Sequence, residues 1–303
     1  MRVDPNYISK MVSSLDKVTA SEQSLSEELS SGVRVNSLSD DPVAAAENVV
    51  LLNQIQQEDS FTETANSVTG QLQVADSALG SVVTELTSAI SLATSANNGT
   101  LSTTDVQSVS TQLTGILTEV TSLANTSYQG QYIFAGSMTS TAPFSTTISG
   151  STATTAYNGD SNINYVQTPS GQKIQLNVPG DSIFMGSGTD SVFGALNSLI
   201  SDYASGTVNS SQAASDMAAL NTALNYLSGQ RVVLDNSINQ VSAASDALTS
   251  ENMQLVAKQT DLLQTDTATV ATRLSTAETQ QTALEDVIST LDASSSNLFE
   301  KLS

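Results

Sequence analysis

No cysteine, histidine or tryptophan occurs anywhere in this chain. Without cysteine there is no disulfide, no thiolate nucleophile and no sulfur-ligated zinc. Without histidine, the commonest acid–base group at neutral pH and the commonest metal ligand are both missing. Ser-His-Asp and Cys-His devices are therefore excluded. Aromatic residues make up only 4%, so any core must be built from Leu, Val, Ile and Ala. Basic residues are scarce too, with nine Lys and Arg against thirty Asp and Glu and a net charge of -21. None lies between Arg34 and Lys173. Binding to nucleic acid or to an anionic membrane rests on Lys and Arg, so neither is an expected partner. No stretch approaches the ~20 apolar residues of a membrane span. The opening "MRVDPNYISKMV" has no long apolar run and no small-residue cleavage site. That reads as soluble and cytoplasmic, unless export proceeds without a cleaved signal.

What the chain does contain is periodic. Ile8, Met11, Leu15, Val18, Leu25 and Leu29 step by three and four, with Glu22 as the polar member. This spacing predicts a coiled-coil helix, punctuated at Gly32. A second helical run starts at Pro42 and carries Leu72, Ala75, Leu79, Val82, Leu86, Ala89 and Ala93. A third carries Val106, Val109, Leu113, Ile116 and Val120. From Gly130 the period changes. "GQYIFAGS" alternates like a strand, and "NINYVQTPSGQKIQLNV" reads as strand, turn, strand. Helical spacing returns at Val192 and ends in one heptad seam through Val270, Leu274, Ala277, Gln281, Leu284, Ile288, Leu291, Leu298 and Leu302.

The expected fold is mainly α with a β-rich insert. It is an elongated helical bundle or coiled coil formed by the N- and C-terminal helices, with a small β domain inserted in the middle. The expected divisions are a terminal helix over 1–34, a linker over 35–41, and the first helical half with a closing hairpin over 42–136. A β-rich part over 137–190, the second helical half over 191–262 and a terminal helix over 263–303 follow. The two terminal seams are natural partners for each other. A pair of helices with Ser-rich flanks buries little apolar area against an ordering cost of ~1–2 kcal/mol per residue. The ends are therefore expected to need further copies or other subunits. Ile8, Met11, Leu15, Val18, Leu25 and Leu29 are the candidate assembly contacts on one side. Leu284, Ile288, Leu291, Leu298 and Leu302 are those on the other.

Asp40 and Asp41 invite a metal or acid–base reading. Asp41, however, precedes Pro42 and an alanine run, and Asp before Pro is a helix start. No D-x-D-x-D-G loop follows. "YNGDSN" (157–162) is read as a tight Asn-Gly hairpin turn in preference to a calcium loop. No catalytic, cofactor or metal residue is assigned, no cofactor is expected, and an enzyme is the least favoured class. "NGT", "NTS" and "NSS" match the Asn-glycosylation pattern and are discounted without a secretory signal.

"LSSGVRVNSLSDDPVAAA" (29–46) and "SLANTSYQGQYIFAGSMTSTAPF" (122–144) resemble the bacterial flagellin family. The first is like the signature near that family's N-terminus. The second is like the passage from its inner helical domain to its outer β domain. Val33 stands where relatives carry a basic residue after "SSG". The "MRV" opening and "GQYIFAGS…TAPF" are more like the family's hook-associated junction members than its bulk filament subunits. The resemblance implies a structural, non-catalytic subunit exported by the flagellar type III route and located outside the cell, at the hook–filament junction. It polymerises through paired terminal helices, and Val33 to Asp41 link these to the main helical domain. The implied partners are copies of itself in a ring, the other junction protein, flagellin and an export chaperone. Two rivals stay open: a flagellin that builds the filament itself, and an exported surface module whose β insert binds a ligand.

Overall fold

The computed structural model describes residues 6–98, 101–150, 152–169, 171–186 and 191–300. Among the described residues, six α-helices are interrupted by a strand-bearing region. They are α1 (Asn6–Ser31), α2 (Pro42–Ala96), α3 (Thr103–Ala124), α4 (Val192–Ala204), α5 (Ser210–Leu263) and α6 (Thr267–Glu300). The chain is mainly helical, with a small central region of few short strands. It divides into two compact units. One takes the described residues up to Gln56 and from Glu251 onward; the other is Gln57–Ser250. None of the described helices is long and apolar enough to cross a membrane.

The larger unit is held by repeats of seven. Along α2, Ala65, Leu72, Leu79, Leu86 and Ala93 recur at that interval, with Val68, Ala75, Val82, Ala89 and Ala96 three residues further on. All are buried. Along α5, Ala213, Leu220, Leu227, Leu234, Val241 and Leu248 keep the same interval. This is coiled-coil spacing, which keeps one seam facing its partner over many turns. Arg231 on α5 clamps Asp76 on α2 through two bonds of 2.7 and 2.9 Å. Being half-exposed, the pair contributes about 1 kcal/mol at most and serves mainly to fix register.

Serine and threonine are poor helix formers, because their hydroxyls compete for backbone groups. Here the competition is diverted. Thr84, Thr87, Ser88, Thr94 and Ser95 each donate to the carbonyl four residues back on α2. The helix persists while its outer face stays polar. α3 opens with a capping box in which Ser102 and Asp105 satisfy each other's backbone N–H. α4 opens with Ser191 accepting from Gly194 N–H at 2.9 Å. The buried Ser110 hydroxyl of α3 donates to the Ile200 carbonyl of α4 at 2.8 Å. Tyr203, fully buried, donates to the Ala93 carbonyl at 3.2 Å. Burial pushes its hydroxyl up to about 12.

The described strands form three separate antiparallel pairs. β1 (Ser127–Tyr128) pairs with β2 (Gln131–Tyr132), β3 (Phe144–Ser149) with β4 (Thr152–Tyr157), and β5 (Tyr165–Gln167) with β6 (Lys173–Gln175). The scarce aromatics are concentrated beside them. Phe134, Phe144, Phe184 and Phe193 are four of the chain's six phenylalanines and are all buried. The Phe144 ring lies 5.3 Å from Phe184 and 5.1 Å from Phe193, with Phe134 edge-on to Phe184 at 5.5 Å. Asn125, just past α3, grips Phe144 on both sides. Its amide nitrogen donates to the Phe144 carbonyl at 2.8 Å, and its oxygen accepts the Phe144 N–H at 2.9 Å.

Two local expectations are corrected. The strand read through "GQYIFAGS" stops at Tyr132. Ile133, Phe134 and Ala135 are consecutively buried, because the chain turns inward there and both faces meet core. Asn158 and Gly159 do not close a hairpin. The loop is organised by Asp160, whose carboxylate accepts from Ser137 N–H at 2.7 Å and Asn162 N–H at 3.1 Å. The Ser137 hydroxyl donates to it as well, the largest of the effects that hold this carboxyl below the usual range.

Gly136 makes that approach possible. Its φ is +68°, and a Cβ there would lie 2.0 Å from the Asp160 carboxylate. Gly136→Ala is expected to cost at least ~2 kcal/mol, because left-handed strain adds to the loss of the Asp160 contacts. Urea unfolding checks this; an unchanged midpoint would contradict it.

Candidate assembly surface

The smaller unit is built around two chain breaks that are stitched together. α1 stops at Ser31, three residues before the expected boundary, with Gly32 following. α5 stops at Leu263 and α6 begins at Thr267. Val33 pairs antiparallel with Gln264. Arg34 N–H donates to the Leu263 carbonyl at 2.7 Å, and Thr265 N–H donates to the Gly32 carbonyl at 3.1 Å. The Thr265 hydroxyl donates to the Glu28 carboxylate. The Arg34 guanidinium bonds Asp41 at 3.1 Å and the Leu262 carbonyl at 3.3 Å. Beyond the Val33 bridge, the linker expected over 35–41 is a turn.

The adjacent aspartates have different tasks. The Asp41 carboxylate accepts from the N–H groups of Val43 and Ala44, both at 3.1 Å, and so caps α2. The Ala44 bond, then Arg34, hold its carboxyl below the ordinary range. Pro42 takes the first helical position, where a missing N–H costs nothing. Asp40 instead closes the preceding turn, accepting from Asn36 and Ser37 N–H at 3.0 and 2.8 Å. Its carboxyl too is lowered, chiefly by Ser37. Asp266 repeats the capping device at α6, accepting from Ala268 and Thr269 N–H at 3.1 and 3.3 Å.

α1 and α6 run antiparallel from this stitch. On α6, Val270 and Ala277 are buried, while Leu274, Gln281, Leu284, Ile288 and Leu291 are half-buried. On α1, Met11 is buried and Leu15, Val18, Glu22 and Leu25 are half-buried. Leu29 is 37% exposed, and Glu28 turns inward in its place toward Thr265. The side chains of Ile8 and Leu298, and Leu302 altogether, lie outside the described residues. Two open grooves run beside the pair. One, of about 620 Å³, is lined by Leu25, Thr272, Arg273 and Ala277 among others. The second, of about 690 Å³, is lined by Glu22, Gln23, Glu27 and Gln281 among others. The seams therefore meet each other, yet most of their apolar side chains keep contact with solvent.

Residues 6–139 match the bacterial flagellin N-terminal helical region. Over that stretch the chain is similar to the flagellin family. It is 40% identical over 120 residues to flagellar hook-associated protein 3 of Escherichia coli, covering 39% of this chain and 38% of that protein. It is 35% identical over 161 residues to the Salmonella typhimurium protein of the same name, covering 53% and 49%. The chain thus spans about half, or less, of the length of these curated relatives. The crystal structure of the flagellar junction protein FlgL from Legionella pneumophila superposes with a TM-score of 0.58 at 16% identity, over 72% of this chain and 99% of that one. At that identity the likeness concerns the fold.

The "SSGVRVNSLSDDP" segment is where α1, α2 and the α5–α6 break are tied together. Sequence reading missed Thr265 and Asp266, half of the stitch. The available signal was an Asp placed just before a Thr-Ala helical run, as Asp41 is placed before Pro42. Both caps act in the same pH direction. A carboxyl lowered in the folded state contributes above its ordinary range and loses that contribution as pH falls through the lowered value. Acidification below about pH 4 is expected to loosen both helix starts. Asp41→Ala is expected to speed amide exchange at Ala44 and Ala45 several-fold at neutral pH, while Asp41→Asn retains most of the protection. Equal exchange in wild type and Asp41→Ala would contradict the cap.

Proposed function

We propose that this chain is a structural, non-catalytic subunit of the bacterial flagellum that forms the junction between hook and filament. The observation that supports the reading is the half-open pair of terminal helices. Leu15, Val18, Leu25, Leu284, Ile288 and Leu291 are half-buried, and grooves flank them. Neighbouring copies would complete this burial, each fully covered Leu or Ile contributing ~1.5–3 kcal/mol relative to an exposed one. The names of the sequence relatives, hook-associated protein 3, support placement at the hook. The partners on this reading are copies of the chain in a ring, the other junction protein and flagellin, with a chaperone before export. The location is outside the cell, reached without a cleaved signal.

One observation favours a second reading, the bulk filament subunit: the matched region is described for flagellin. Copy number separates the two. A junction needs about one helical turn of subunits, and a filament needs thousands. Immunogold labelling of isolated flagella is expected to mark only the hook–filament boundary; label along the filament would select the flagellin reading. Deletion of residues 270–303 is expected to abolish incorporation into the organelle. Normal incorporation of that truncated chain would overturn the role given to α6, and would favour a surface module with dispensable ends.

A further inference from the structure

The corner where α4 meets α5 holds a pair of carboxyl groups that nothing in the assembly reading uses. Asp216 occupies a core position of the α5 repeat, three residues after Ala213 and seven before Ala223, and is 6% exposed. Asp202, near the end of α4, faces it. The Oδ2 atom of each is shut off from solvent and has no hydrogen-bond partner. Asp216 Oδ1 accepts from the Gln212 amide at 3.1 Å. Two neighbouring carboxylates, each with a buried and unpartnered oxygen, cannot both stay ionised without a large desolvation and repulsion cost. A bridging proton removes both costs at once.

We propose that Asp202 and Asp216 share one proton and form a latch between α4 and α5 that tightens on acidification and loosens as the second carboxyl ionises. Among the described residues, the surroundings offer no other compensation. From α4, the groups acting on the pair are Asp202 itself and the buried, neutral Tyr203 hydroxyl. From α5 there is only the Gln212 amide. The Tyr203 hydroxyl is turned to the Ala93 carbonyl of α2. Between residues 57 and 250 the sequence holds two basic residues, Lys173 and Arg231. Lys173 lies in β6, and Arg231 is committed to Asp76.

The direction of the pH dependence follows. Burial, then the neighbouring Asp202, push the Asp216 carboxyl up to about 6. A group raised in the folded state stabilises fully below its ordinary value, about 4, and loses that contribution as pH rises through the raised one. This is opposite in sign to the Asp41 and Asp266 caps, so the two effects separate on a pH axis.

The test uses the full, unpolymerised chain. Asp216→Asn keeps the shape and removes the charge. It is expected to melt roughly 2–4 °C higher than wild type near neutral pH, the difference shrinking toward about pH 5. A carbon-13 titration of the wild-type Asp216 carboxyl is expected to give a midpoint near 6. It decides the matter even if the variant folds poorly. A midpoint within the ordinary carboxylate range overturns the proposal. So does a variant that folds but melts lower than wild type by the same amount at both pH values. A rise in wild-type melting temperature with about 5 mM calcium, absent in Asp216→Asn, would make the occupant a metal cation and would overturn the shared proton.

Discussion

The larger unit depends on one constraint, an apolar side chain every seven residues. On α2 and α5 that interval is kept from Ala65 to Ala93 and from Ala213 to Leu248. A straight helix drifts relative to a seven-residue repeat, so holding the repeat over several heptads commits each helix to a continuous seam with its neighbour. Everything else on those helices is free to be polar. That freedom is why a chain with 39% hydrophobic residues folds around a continuous apolar core. The hydroxyl-rich outer faces are tolerated because serine and threonine bond back along their own helix.

The same period made much of the fold legible in the sequence. Leu72, Leu79, Leu86, Leu113 and Val120 are core by spacing alone, and each is fully buried or nearly so. The terminal seams through Leu15 and Leu284 could be read the same way. Legibility failed where burial is not periodic. Ile133, Phe134 and Ala135 alternate on paper but are enclosed on both sides by the phenylalanine cluster, so no strand period operates. Asp40 and Asp41 look alike in sequence, yet one closes a turn and the other starts a helix; only the path of the chain separates them. The stitch between 32–34 and 263–265 joins segments more than two hundred residues apart, which no local pattern encodes.

Asp216 shows a different kind of blindness. It stands at a heptad core position, where a charged residue breaks the pattern, and that break was visible in the sequence. Its partner was not. Asp202 sits outside the seven-residue frame of α5, on a helix whose orientation depends on the tertiary fold. A polar residue in a core is most informative when its neighbours are known, because the same Asp is a salt-bridged anchor beside Arg and a proton store beside Asp.

The two units differ in how completely they dispose of their apolar surface. In the larger one, Leu79, Leu86 and Leu227 retain no solvent contact. In the smaller one, the seams of α1 and α6 include Glu22 and Gln281, and their leucines remain half-open. Polar seam members reduce what a single pair of helices gains from closing, while specifying register for whatever else packs there. A helix pair optimised to stand alone would carry leucine at those positions. Its actual composition leaves apolar surface that the pair itself does not cover, as the proposed assembly requires. On the assembly we propose, the stitch at Val33, Arg34 and Thr265 has a physical purpose: it sets the direction of α1 and α6 beforehand, so that association need not also provide the cost of orienting them.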